Sequence, residues 1–117
     1  MGYHGGVRPF LLVLALVSLS GCGVSLSVRS FCAQAAKCGQ LGNVSEDSCV
    51  AAWTAELERL NSKGRENCAK LANATQTLFA CRGTLSCQQS ADILTTKCAQ
   101  ANEDWVVASS VAAGECN

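Results

Sequence analysis

An all-α domain of about four helices, built as two similar helical hairpins and stapled by disulfides, is predicted by three features of this sequence. Between the cysteines, apolar residues recur at spacings of three and four, the helical period, and strand-like alternation is scarce. Eight cysteines fall between Cys32 and Cys116, a density typical of small exported domains whose cores are supplemented by cross-links. Their spacing also repeats. Five, ten and eighteen residues separate Cys32, Cys38, Cys49 and Cys68, and five, ten and seventeen separate Cys81, Cys87, Cys98 and Cys116. A shift of 49 therefore superposes three cysteines and nearly a fourth, the mark of an internal duplication over about residues 31–68 and 80–116. It also aligns Gln40 with Gln89, Asn43 with Asp92, Val44 with Ile93 and Ala52 with Ala101, although the match rests mainly on the cysteines.

The elements follow in order. Phe31, Ala35 and Cys38 share one face of a first helix, and Gly39 to Gly42 supplies its stop and turn. Ser45, followed by Glu46 and Asp47, opens a second helix, because a hydroxyl caps free amides and acids suit the positive end of the helix dipole. Cys49, Trp53, Leu57 and Leu60 form its inner stripe. Residues 61–65 break the pattern at Gly64, after which Cys68, Leu71, Thr75 and Leu78 line a third helix, extended to Leu85 unless Gly83 ends it. A fourth starts near Thr95 and carries Cys98, Ala101, Trp105, Ala108 and Ala112 on one face, ahead of Gly114 and Cys116. Both tryptophans thus lie on cysteine-bearing faces, where a large ring is expected to anchor a small core and not to platform a ligand.

Cysteine spacing decides the chemistry. Closed zinc sites use thiolate pairs two to four residues apart, and no such pair occurs. Without Cys-x-x-Cys, the usual dithiol redox motif and the c-type haem attachment site are missing as well. Structural disulfides are expected, with no metal. Eight cysteines allow 105 pairings. Cys38 closes one helix and Cys49 opens the next, so a hairpin staple predicts Cys38 with Cys49, and the repeat makes Cys87 with Cys98 its counterpart. Cys32 with Cys68 and Cys81 with Cys116 would follow.

The N-terminal residues have the three regions of a secretory signal peptide: a leading segment with Arg8 and no acid, an apolar run over Leu11 to Leu19, and small residues after it. The run is about half the 20 residues a membrane span requires. Leu19-Ser20-Gly21-Cys22 resembles the lipobox of bacterial lipoproteins, with the match confined to the leader and its junction. The resemblance implies cleavage after residue 21, a diacylglyceryl thioether on Cys22, and palmitate or a similar chain on the new amino terminus. Two or three chains anchor a protein stably where one does not. The alternative is an ordinary signal peptide with Cys22 as merely a ninth cysteine. Parity favours the lipid, because nine is odd and an unpaired thiol in an exported protein needs an explanation. Residues 22–30 then form a short tether. In a Gram-negative host, Asp directly after the lipidated Cys holds such proteins at the inner membrane, so Gly23 at that position favours the outer membrane. Asn43-Val44-Ser45 and Asn73-Ala74-Thr75 match a glycosylation triplet that a bacterial host leaves unused.

Nine basic residues balance nine acidic ones with no run of either sign, which argues against a nucleic-acid partner. The single histidine, His4, lies in the leader. Neither Gly-x-Ser-x-Gly, Ser-x-x-Lys nor a phosphate loop is present. The close acid pairs Glu56/Glu58 and Glu103/Asp104 are one or two residues apart and point to different helix faces. The expectation is a non-enzymatic module of the cell envelope, structural or protein-binding. Its covalent lipid on Cys22 is its only attached group, the membrane is its first partner, and another envelope protein is the candidate second. The alternative is a carrier of a small apolar ligand held among cross-linked helices.

Overall fold

The computed structural model describes residues 26–92 and 96–117, so the leader, Cys22 and Thr95 lie outside the described residues. The described chain is all α-helix and turns. Five helices appear: α1 over residues 26–37, α2 Glu46–Ser62, α3 Glu66–Arg82, a short α4 Cys87–Ala91 and α5 Ala99–Val111. The short α4 has no counterpart in the periodicity, because a single turn and a half cannot show a period. It is held by a capping box in which Ser86 accepts from the Gln89 amide and the Gln89 side chain accepts from the Ser86 amide.

α1 begins earlier than its apolar face suggests. Residues 26–30 of the short tether, where Leu26 and Val28 already read as the start of structure, are helical, and Val28 is wholly buried, so the inner face is Val28, Cys32 and Ala35 with Phe31 beside it. The helix stops in a Schellman turn: Gln40 N donates to Ala35 O at 2.8 Å, Gly39 N donates to Ala36 O at 3.1 Å, and Gly39 takes the left-handed φ of 69° that only glycine adopts freely. α2 starts as expected, with Ser45 Oγ accepting from Ser48 N at 3.1 Å, and its Cys49, Leu57 and Leu60 are buried.

α3 is the central strut, antiparallel to α2 on one side and to α5 on the other. It buries Cys68, Ala72, Thr75, Leu78 and Phe79, and it ends at Gly83. Leu85, expected on this helix, is buried beyond its end in a second small cluster with Leu78 and Cys98. Gly83 has ordinary helical φ, and its role is space: a β-carbon there would press within 3.0 Å of the Ser30 backbone carbon. The main core is sealed by Phe31 stacked on Phe79 with centroids 4.1 Å apart and by Trp53 edge-on to Phe79 at 4.7 Å. α5 carries no fully buried residue, and Ala101, Trp105 and Ala108 are only half-buried.

All eight cysteines of residues 32–116 are in disulfides, but the pairing expected from the hairpin is overturned. The bonds are Cys32–Cys49, Cys38–Cys87, Cys68–Cys116 and Cys81–Cys98, replacing Cys38 with Cys49, Cys87 with Cys98, Cys32 with Cys68 and Cys81 with Cys116. Helix geometry gives the reason. Six residues of α-helix turn the chain by about 600°, so Cys32 and Cys38 point about 120° apart. α1 and α2 wall one cleft, with Ala33 and Val50 among its lining, and Cys32 meets Cys49, which is a full turn inside α2 and buried. Cys38 faces away and meets α4. α5 runs antiparallel to α3, with Trp105 opposite Thr75, so Cys81 meets Cys98 at one end and Cys68 meets Cys116 at the other.

The duplication is written into these bonds. The 49-residue shift carries Cys32–Cys49 onto Cys81–Cys98, both with a separation of 17. Cys38–Cys87 joins equivalent positions with a separation of 49, and Cys68–Cys116 joins the two fourth cysteines with 48. Each half thus holds one internal bridge and shares two, where two internal bridges apiece had been expected. In the loop-entropy account the short bridges contribute about 3 kcal/mol each and the long ones about 4 kcal/mol, without strict additivity.

Non-reducing peptide mapping is expected to recover Cys38 linked to Cys87; a peptide joining Cys38 to Cys49 would refute this topology. Gly83→Ala is expected to destabilise the domain by about 1 to 3 kcal/mol through overpacking against α1, measured by denaturant titration.

Candidate functional site

Open clefts mark the described surface. One of about 850 Å³ runs between α1 and α2, and its walls mix Leu26, Ala33 and Val50 with Arg29, Glu46, Asp47 and Glu58. A second, about 340 Å³, lies between α3 and α5 under Val107 and Val111, with Lys70, Glu103 and Asp104 on its rim. A third, about 170 Å³, sits between the tryptophans, where α2, α3 and α5 meet. Charged rims of this kind suit water and surface contacts better than an apolar ligand.

The tryptophan cleft shows why both rings face inward. Trp53 rests against Phe79, while Trp105 Nε1 donates to Thr75 Oγ1 at 3.1 Å, and Thr75 Oγ1 in turn donates to Leu71 O at 2.8 Å. Thr75 is the single buried polar side chain among the described residues, and its hydroxyl is used in both directions. The indole is therefore tied into the structure as an anchor, as its sequence position implies.

Glu56 and Glu58 line different clefts, whereas Glu103 and Asp104, expected to point to different faces, line the same one. Glu56 is taken up by Arg59, whose Nε and Nη2 donate to its two carboxylate oxygens at 2.9 and 2.7 Å. The same guanidinium donates through Nη1 to the Cys116 carbonyl, so this ion pair clasps the C-terminal segment to α2 beside the Cys68–Cys116 bridge. Hydrogen bonds from Arg59 hold the Glu56 carboxyl below its ordinary value of 4.5, opposed by slight desolvation and aided by the charges of Arg59 and Lys63. Glu58 lines the α1/α2 cleft, and Glu103 and Asp104 line the α3/α5 cleft. Among the described residues no group of three or more His, Cys, Asp or Glu side chains could hold a metal ion, and no helix is long and apolar enough to cross a membrane. Cys22, the predicted lipidation site, lies outside the described residues.

No family model matches the chain, and no curated protein or solved structure is significantly similar to it.

Trp105→Phe removes one hydrogen bond to a buried hydroxyl and is expected to cost about 1 kcal/mol, seen as a lower denaturation midpoint with unchanged slope. For Glu56 the folded pKa is the lower one, so its stabilising contribution is present above about pH 4.5 and is lost as pH falls through the folded value. Glu56→Gln should therefore flatten the fall in Tm below pH 4.5 and leave its slope near pH 7 unchanged.

Proposed function

We propose that this protein is a lipid-anchored, non-enzymatic module of the bacterial cell envelope, exported under residues 1–21 and held through acyl groups on Cys22. One observation carries the reading. The four disulfides consume all eight cysteines of residues 32–116, which leaves Cys22, in the lipobox-like Leu19-Ser20-Gly21-Cys22, as the ninth and odd one. A free thiol at the head of an exported, otherwise fully cross-linked domain is a liability, and thioether formation removes it.

A structural or protein-binding role is supported by what fills the interior. Phe31, Phe79 and Trp53 occupy the space between α1, α2 and α3 where a carrier would keep room for its ligand. The cross-links hold the surface rigid, which lowers the ordering cost of binding a partner protein. In a Gram-negative host Gly23 favours delivery to the outer membrane, with another envelope protein as the partner.

Expression in a bacterial host with metabolic labelling by a palmitate analogue tests the reading. The wild-type chain is expected to take up label, to lose its first 21 residues and to fractionate with membranes. Cys22→Ser is expected to remain unprocessed and unlabelled; a Cys22→Ser chain that is still cleaved and still labelled would overturn it.

A further inference from the structure

The direction of α1 decides which end of the bundle a lipid on Cys22 would hold. Phe31 stacks on Phe79, Gln34 donates to the Leu85 carbonyl, and Cys38 is bonded to Cys87. The partners are offset by 48, 51 and 49 residues, and Ser30 approaches Gly83 at an offset of 53, so α1 runs in the same direction as the last turns of α3 and the residues that follow them. Its N-terminus therefore points toward the end of the bundle where α3 begins. That end also holds the α2–α3 turn and the C-terminal segment, through Lys63 Nζ to Asn117 O at 3.0 Å, Asn67 to Glu115 at 3.0 Å and the Cys68–Cys116 bridge. Cys22 precedes Leu26 by four residues, which span at most about 14 Å. Leu26 lies level with the middle of α3, and the eight or nine residues from there to the start of α3 rise about 13 Å. A lipidated Cys22 thus reaches the level of this end and little further.

The surface agrees with that geometry. Of the large apolar side chains most exposed among the described residues, Val111 lies nearest this end, Leu26, Val106 and Val107 lie about level with the middle of α3, and Val107 and Val111 form the open wall of the α3/α5 cleft. Lys70 stands on the rim of that cleft with Glu103 and Asp104, and Lys63 and Arg65 lie at the same end, bonded to the Asn117 carbonyl and to Glu115. Among the described residues, the opposite end shows exposed Gln40, Asn43, Val44, Gln88 and Gln89.

We propose that the bundle stands on its bilayer by the end where α3 starts and the C-terminus lies, with Val111 nearest the lipid and α4 at the far end. The inference rests on lipidation of Cys22. It fixes the direction in which the module faces: α3 is 17 residues long, so the α4 end is presented about 25 Å from the membrane.

The test uses the lipidated full-length protein in vesicles of phosphatidylethanolamine and phosphatidylglycerol, with part of the acyl chains brominated as contact quenchers of tryptophan. Val111→Trp and Val44→Trp are compared with the parent, whose Trp53 and Trp105 give the baseline. Both valines are about half exposed, so a larger ring displaces no core, and Val107→Trp replaces the first variant should it fail to fold. Quenching gained by Val111→Trp is expected to exceed that gained by Val44→Trp at least twofold. Equal gains, or a larger gain at residue 44, overturn the orientation while leaving the lipid anchor standing. A protein that binds the vesicles equally well as Cys22→Ser overturns the anchor itself.

Discussion

The two bonds that join equivalent positions of the repeat, Cys38–Cys87 and Cys68–Cys116, carry the tertiary structure. The apolar interior is thin: among the described residues Val28, Leu57, Leu60, Leu78, Phe79 and Leu85 are its large fully or nearly buried side chains. A domain of this size buries too small a share of its surface to be secure on packing alone. α5 shows the dependence most directly, since none of its residues is fully buried, yet it is held against α3 by Cys81–Cys98 at its start and Cys68–Cys116 just past its end. The weak polar contacts there, Trp105 with Thr75 and Asn67 with Glu115, are positioned by those clamps.

The same bonds explain how a duplicated sequence makes one body. α3 serves both repeats, its first turn holding Cys68 of the first and its last turn Cys81 of the second. Because α1 and the second half of α3 lie side by side in equivalent register, Phe31 and Phe79 stack, and Gln40 exchanges hydrogen bonds with Ser90. A bond between identical positions is what an approximate two-fold arrangement allows. Two independently stapled hairpins would have left their mutual face to a few aromatic rings.

On the proposed reading, this construction suits a module fixed to a surface. A short link from Cys22 to a helix whose Val28 is buried leaves little freedom of orientation, so the faces turned toward and away from the bilayer are set by the fold. Charge contributes less: Glu56 pairs with Arg59 and Lys70 with Glu66, each within about a turn of its own helix.

Helix content, the Ser45 cap, the Gly39 to Gly42 turn, the inner stripe of α2 and the full use of eight cysteines in disulfides were all legible in the sequence, because each depends on residues within a few turns of one another. The lipobox resemblance and the odd cysteine are likewise local. What only the tertiary structure decided is partnership. Cys38 and Cys49 are near in sequence, but the 120° between Cys32 and Cys38 on one helix, and the register of α1 on α2, give Cys49 to Cys32 and send Cys38 across to Cys87. Gly83 looked like a stop signal and proved also to be the gap through which α1 approaches α3. Periodicity reports which residues face inward; the angles between helices choose what they meet there.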